Sequence, residues 1–298
     1  MDHDGGVIDI READTVATWP IGSFAENLAV APGGAVFVSL HTDRAIDRVD
    51  PATGAATRFA ALDAPVAGLV TARDGALYAS GGTPGRAPGL VWRVSPGCAA
   101  ILVAEIAEAS FLNGMALHPD GRRLLVADSI LGRVFCVDPE NGTATVWLDD
   151  PLLRPPPGEA APGANGIKLA RGHAVVSVTA RDILVQSALR PDGSAGPVEV
   201  LAERLRADDF AVGADGALYI ATHPARSLMR LGPDGKRSTL AGPAEGMTGA
   251  TAVAFGRGTA DRSHVYVTTT GGTMTLPPEE CGPARLVRVA VDTTAPED

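Results

Sequence analysis

An all-β chain folded as a six-bladed β-propeller, with four antiparallel strands per blade, is predicted by three observations. A turn-and-strand phrase recurs along the sequence, further strand-like segments follow each copy, and the composition favours many short elements joined by tight turns. The phrase is a short apolar run, a Gly-containing turn and a β-rich run. It reads APGGAVFVS from Ala31, ARDGALYAS from Ala72, HPDGRRLLVAD from His118 and GADGALYIAT from Gly213. LARGHAVVSV from Leu169 and FGRGTADRSHVYVTT from Phe255 are looser copies, which brings the number to six.

A third strand follows most copies, as AIDRVDP, LVWRVSP, RVFCVDP, SLMRLGP and RLVRVAV. A fourth apolar stretch such as ATRFAAL or TATVWL usually comes next. Four strands repeating at roughly 40 to 50 residues are the pattern of propeller blades. Alternation of apolar and polar residues dominates, and helical periodicity is largely absent. The Pro/Gly-rich stretch DDPLLRPPPGEAAPG from Asp149 falls between copies three and four and leads into an ordinary strand. The sixth copy runs out after RLVRVAV, while DTVATWP from Asp14 stands ahead of the first. The N-terminal strand is therefore expected to complete the last blade, because closure removes exposed sheet edges. The expectation is one domain over residues 1–298, with flexible tails at 1–6 and 292–298. Two separate β domains are the alternative, and no linker-like break between copies supports it.

The 298 residues are 45% hydrophobic, enough for a substantial core, but only 4% aromatic, with 35 Gly and 23 Pro. A net charge of −10 argues against nucleic acid or anionic membrane as the partner. Cys98, Cys136 and Cys281 stand far apart with no CxxC spacing, which disfavours a Cys-based zinc site. The opening MDHDGGVIDI has no basic segment followed by an apolar run, and no stretch has membrane-spanning length. A cytoplasmic protein acting on a small-molecule substrate is expected, as a monomer or homodimer, with neither nucleic acid nor membrane as partner.

Counting back from each turn to the start of its first strand picks out one position per copy. It holds Glu26 in FAENLAV, Ala67 in VAGLV, Asn113 in LNGMAL, Asn165 in ANGIKL, Asp208 in ADDFAV and Thr251 in ATAVAF. First strands line a propeller's axis, so these six form a ring, and five of them carry side-chain oxygen. Two carboxylates and two amides suit a hard divalent cation, Ca²⁺ foremost, with Mg²⁺ or Mn²⁺ as alternatives. Zn²⁺ remains an alternative that the lack of His and Cys in the ring disfavours. A single polar residue at a strand start more often satisfies local backbone; four at one register argue for a site. Asn113-Gly114 is then not a hairpin turn: Gly114 lets neighbouring backbone approach closely.

Residues closing the second strands are expected around the same mouth: His41, Gly82, Ser129 with Asp128 before it, His223 and Thr270. His41, His223 and Asp128 are candidate acid/base groups. Ser129, Thr270, Thr251, Asp209, Phe24 and Phe111 are candidate substrate contacts. The insertions GGTPGRAPGL, DDPLLRPPPGEAAPG and TTGGTMTLPPEECGPA connect at this end and are candidates for a substrate wall.

FAENLAVAPGG with Glu26, FLNGMALHPDG with Asn113, GANGIKLARG with Asn165 and ADDFAVGADGALYIA with Asp208 resemble the SMP-30/gluconolactonase family over nearly the full length. That family comprises six-bladed propellers and includes Ca²⁺-dependent lactonases and organophosphate-hydrolysing relatives. The resemblance implies a metal held by Glu26, Asn113, Asn165 and Asp208, with Asp208 as base or nucleophile. The chain departs from the family in Asp209, where the family often has Gly, and in Ala67, which supplies no oxygen. The expected activity is metal-dependent hydrolysis of a lactone or related ester. A cyclase, isomerase or condensing enzyme of secondary metabolism on the same scaffold is one alternative. A non-catalytic small-molecule-binding propeller is the other.

Overall fold

The computed structural model describes residues 6–72, 74–95 and 99–296. Its six sheets are the blades of a six-bladed β-propeller. Blade one comprises Ala25–Val30, Val36–Leu40, Ala45–Val49 and Ala56–Ala61. Blade two comprises Val66–Thr71, Leu77–Gly81, Gly89–Val94 and Ile101–Ile106. Blade three is Leu112–Leu117, Leu124–Asp128, Arg133–Asp138 and Thr143–Asp149. Blade four is Ala164–Ala170, His173–Val178, Ile183–Leu189 and Ala195–Glu203. Blade five runs Phe210–Val212, Leu218–Thr222, Ser227–Leu231 and Arg237–Ala241, and blade six Ala250–Phe255, His264–Thr269 and Pro283–Ala290. The repeated turn phrase joins the first and second strands of each blade, whereas residues 82–88 and 270–282 form longer connections between later strands of blades two and six.

The N-terminal strand Ala13–Ile21 pairs antiparallel with Pro283–Ala290 and completes blade six. Trp19 Nε1 then donates to Asp47 Oδ2 of blade one at 2.9 Å, and Arg58 Nε holds the other oxygen of Asp47 at 2.6 Å. The sequence did not reveal Val7–Ile8, which adds a short parallel fifth strand to blade five.

The chain forms two compact units. One contains Met1–Asp43, Asp47–Arg58 and Asp208–Asp298; the other contains Arg44–Ile46 and Phe59–Ala207. In the first, the core lies between blades five and six, where Tyr219, Leu228, Met247, Val253, Val267 and Val287 are buried. In the second, Leu112, Leu124, Val126 and Phe135 join blades two and three, while Leu125, Leu153, Ile167 and Val176 join blades three and four. Apolar residues recur on alternate positions because each blade packs a face against the next.

Of the residues expected as tails, Asp292 pairs with Arg11 at 2.7 Å and the Thr294 carbonyl accepts from Ala214 N at 2.8 Å. The segment 292–296 is thus tied down; residues 1–5 and 297–298 lie outside the described residues. Cys98 lies outside them as well. Cys136 and Cys281 are free thiols, and burial pushes the Cys136 thiol up, away from its reactive thiolate form. Among the described residues no helix is long and apolar enough to cross a membrane.

Candidate functional site

Every ring position falls at an interruption of strand pairing. In blade one, Ala25 faces Leu40 and Asn27 faces Ser39, leaving Glu26 as the extra residue. In blade three, pairing jumps from Leu112–Asp128 to Met115–Val126 across Asn113 and Gly114. Blade four jumps from Ala164–Val178 to Ile167–Val176 across Asn165 and Gly166. Blade two does the same at Ala67 and Gly68, and blade six at Thr251. In blade five, Asp208 N donates to the Ala221 carbonyl and Ala221 N to the Asp209 carbonyl, both at 2.9 Å, just before the regular strand begins at Phe210. A β-bulge re-aims the side chain it carries. Here it explains how polar residues emerge from strands that are otherwise apolar.

Hydroxyls on the second strands hold the bulges open. Ser39 Oγ accepts Asn27 N–H at 2.9 Å, and Ser177 Oγ accepts Gly166 N–H at 2.8 Å. Gly114 is required by its neighbour: a Cβ built there would sit 2.4 Å from the Asn165 carbonyl oxygen. The close approach expected of Gly114 is therefore real, and it brings the first strands of blades three and four together.

In the first unit, Glu26 and Asp208 are both buried, at 9% and 7% exposure. His223 Nδ1 lies 3.4 Å from Asp208 Oδ2, and its Nε2 is buried without a hydrogen-bond partner. Phe24 stands between the two rim histidines and meets both edge-on, with ring centroids 6.0 Å from His41 and 5.9 Å from His223. Asp208, His223, Phe24 and His41 thus form one cluster. Asp209 is turned inward: Oδ1 accepts Phe210 N–H at 2.8 Å and Oδ2 accepts from Asn27 Nδ2 at 3.1 Å.

In the second unit, Asn113 and Asn165 are buried, each at 3% exposure. Asn165 Nδ2 donates to Thr179 Oγ1 at 3.0 Å, and Thr179 Oγ1 donates to the Ala207 carbonyl at 2.7 Å. With its nitrogen held on that side, the Asn165 amide directs its oxygen, the atom a cation would use, the other way. Thr179 closes the second strand of blade four and was missed by the sequence reading. Its signal was the register that singled out Ser129 and His223.

Several other expectations resolve differently. Asp128 is fully buried, and its two oxygens accept four backbone N–H groups, from Ser110, Phe111, Ile130 and Leu131. Those bonds brace the turn and strand end around it. Ser129 Oγ donates to the Ala164 carbonyl at 2.9 Å and Thr251 Oγ1 to the Ala25 carbonyl at 2.7 Å. The buried Thr270 hydroxyl accepts Gly272 N–H within its own turn. In these three the hydroxyl already holds a bond within the protein. Phe111 remains half-buried beside Asn113. The Pro-rich insertion is anchored by fully buried Leu153 and by an ion pair from Arg154 to Asp149, so it forms a fixed wall.

Among the described residues, no three or more His, Cys, Asp and Glu side chains gather as a metal cluster of that composition. The candidate ligand set differs in kind, since two of its four members are asparagines. Its buried amide and carboxylate oxygens suit a hard cation.

The sequence profile of the SMP-30/gluconolactonase/LRE-like region matches residues 9–271. The chain belongs to this family. Comparison with curated proteins gives no match. Among solved structures, the family fold recurs in regucalcin, a calcium-binding protein from Agrobacterium tumefaciens. It shares 16% identity, with a TM-score of 0.71 over 98% of this chain and 99% of that one. A gluconolactonase from Xanthomonas campestris matches at 16% identity and a TM-score of 0.69, covering 94% of this chain and 89% of that one. A luciferin-regenerating enzyme matches at 12% and 0.70, covering 96% and 97%.

Proposed function

We propose that this family member is a calcium-dependent hydrolase of a lactone or related ester, with Glu26, Asn113, Asn165 and Asp208 as the calcium ligands. One observation carries the reading: the same bulge position in four blades bears a buried amide or carboxylate side chain. The family, with a gluconolactonase and a calcium-binding regucalcin among similar structures, supports it. Mg²⁺, Mn²⁺ or Zn²⁺ would use the same residues less well, since amide oxygens in a flexible shell suit Ca²⁺ best.

The chemistry a divalent cation supplies at such a ligand set is polarisation of the carbonyl and compensation of the charge developing on its oxygen. A carboxylate that serves as ligand is a poor base, so proton transfer falls to His223. Its unpartnered Nε2 is the ring atom whose proton-accepting capacity is left unused. Nδ1 faces Asp208 Oδ2, and that carboxylate compensates the charge the ring acquires, the role a carboxylate plays beside a catalytic histidine elsewhere. Phe24 fixes both imidazoles by edge contacts and excludes water from that side. His41, across Phe24, is placed to contact the substrate.

A panel of lactones and esters followed by acid release, with and without chelator, tests the proposal. Turnover that vanishes on chelation and returns with Ca²⁺ is expected; no acid from any member in the presence of Ca²⁺ would sink it. A second reading follows from the burial of Nε2 beside Phe24: a base kept from water suits abstraction of a proton from carbon, as in a cyclase or isomerase. Oxygen-18 water separates the two, because only hydrolysis places the label in the product.

A further inference from the structure

The residue after each ring position separates five of the six blades into two groups, blade six carrying Ala252. Blades two, three and four carry glycine there, as Gly68, Gly114 and Gly166. Blades one and five carry Asn27 and Asp209 instead, and these two side chains are bonded to each other: Asn27 Nδ2 donates to Asp209 Oδ2 at 3.1 Å. Both are more than nine-tenths buried. We infer that Asn27 and Asp209 are positioning residues that fix the candidate ligands Glu26 and Asp208 relative to one another. The inference rests on the calcium reading above.

Each partner of this bolt is the immediate chain neighbour of a ligand. The bond therefore sets the spacing of the two backbones from which Glu26 and Asp208 project. Further bonds stiffen it. Asp209 N donates to the Thr251 carbonyl at 3.1 Å, and Thr251 Oγ1 donates to the Ala25 carbonyl at 2.7 Å. Asn27 N–H is held by Ser39 Oγ and Phe210 N–H by Asp209 Oδ1. The first strands of blades five, six and one are thereby tied into one closed hydrogen-bonded circuit. Where blades two and three achieve close packing with Gly68 and Gly114, these use a polar bridge. It spans 182 residues of sequence, within one compact unit.

A merely structural bolt and a positioning bolt differ in what they change. Loss of a structural bolt lowers stability with and without metal by the same amount. Loss of a positioning bolt weakens metal affinity as well, and outer-shell partners of metal ligands typically carry about 10- to 100-fold in affinity. The test is calcium titration calorimetry on the full chain, with melting of the chelated protein in parallel. Asn27→Ala is expected to weaken Ca²⁺ binding about 10- to 100-fold. The exchanged pair, Asn27→Asp with Asp209→Asn, keeps net charge and one amide–carboxylate bond, and is expected to recover most of that loss. Wild-type affinity in Asn27→Ala overturns the inference. So does an exchanged pair that folds but binds Ca²⁺ weakly, and this arm decides the matter if Asn27→Ala fails to fold. Absence of calcium binding by the wild-type chain overturns the ligand reading itself, and the inference with it.

Discussion

Thr179→Val removes one hydroxyl and almost nothing else. That hydroxyl accepts from Asn165 Nδ2 and donates to the carbonyl of Ala207, the residue before Asp208. Thr179 is 4% exposed, so water cannot readily replace either bond. Each buried group left unpaired costs about 1–3 kcal/mol, and the added methyl returns under about 1 kcal/mol. The net loss is about 1–5 kcal/mol, or about 2–8 °C in melting temperature for a chain of this length. The second effect is on ligation. An Asn165 amide released from Thr179 presents its oxygen less reliably, and Ca²⁺ affinity is expected to fall about 10- to 100-fold. The stabilisation gained from saturating calcium then shrinks by about 1.4–2.7 kcal/mol. Melting in chelator isolates the first effect, and calorimetric titration isolates the second. Calcium affinity equal to wild type, beside a chelated melt lowered as computed, would remove Asn165 from the ligand set. An unchanged chelated melt would refute the hydrogen-bond account itself.

Gly114→Ala places a methyl against the Asn165 carbonyl and the Gly166 backbone, atoms that cannot move aside alone. We expect about 1–3 kcal/mol of destabilisation together with weaker calcium binding. Gly33→Ala, which meets nothing within 4 Å, is the control and leaves both unchanged; equal effects of the two would dismiss the close-packing argument. Asp120 supplies a pH test. Burial opposes its ionisation, but donation from the Arg123 and Arg122 backbones, the Arg123 guanidinium and nearby His118 outweigh it and hold the carboxyl well below its usual range. A depressed folded value stabilises the protein above the unfolded value of about 4 and loses that contribution as pH falls further. Asp120→Asn is therefore expected to lower the urea midpoint near neutral pH and to converge on wild type in acid. Parallel curves would show that the turn gains nothing from the charge.

The blades were legible because each is announced by its turn. The ring was legible because one register holds in all six copies. Glu26, Asn113, Asn165 and Asp208 needed only counting. What sequence could not convey was direction. A polar residue closing a strand looks alike whether it faces a mouth or bonds its neighbour, and Ser129, Thr251, Thr270 and Asp128 do the latter. Thr179 was hidden by the looser fourth copy, whose turn is shorter. The Asn27–Asp209 bridge was beyond reach for a different reason: its halves lie in blades one and five, and no local pattern links them. Val7–Ile8 is too short to declare itself as a strand.

Four hydroxyls near the strand starts and ends share one role. A blade ends its hydrogen-bond ladder at its first strand, so the carbonyls on that strand's far side need donors from outside the sheet. Ser80 Oγ supplies one to Asn113, Ser129 Oγ to Ala164, Thr179 Oγ1 to Ala207 and Thr251 Oγ1 to Ala25. Each bond reaches from one blade toward the chain segment that begins the next. A hydroxyl is suited to this, being short and able to donate one proton while accepting another. Amides and carboxylates at the bulges have more acceptor capacity than such a contact uses. Hydroxyls around the strand ends therefore tie neighbouring blades together, and the candidate ligands Glu26, Asn113, Asn165 and Asp208 carry amide or carboxylate oxygens instead. Asn165 joins the two roles, because the hydroxyl that ties blade four to Ala207 is the same one that orients its amide.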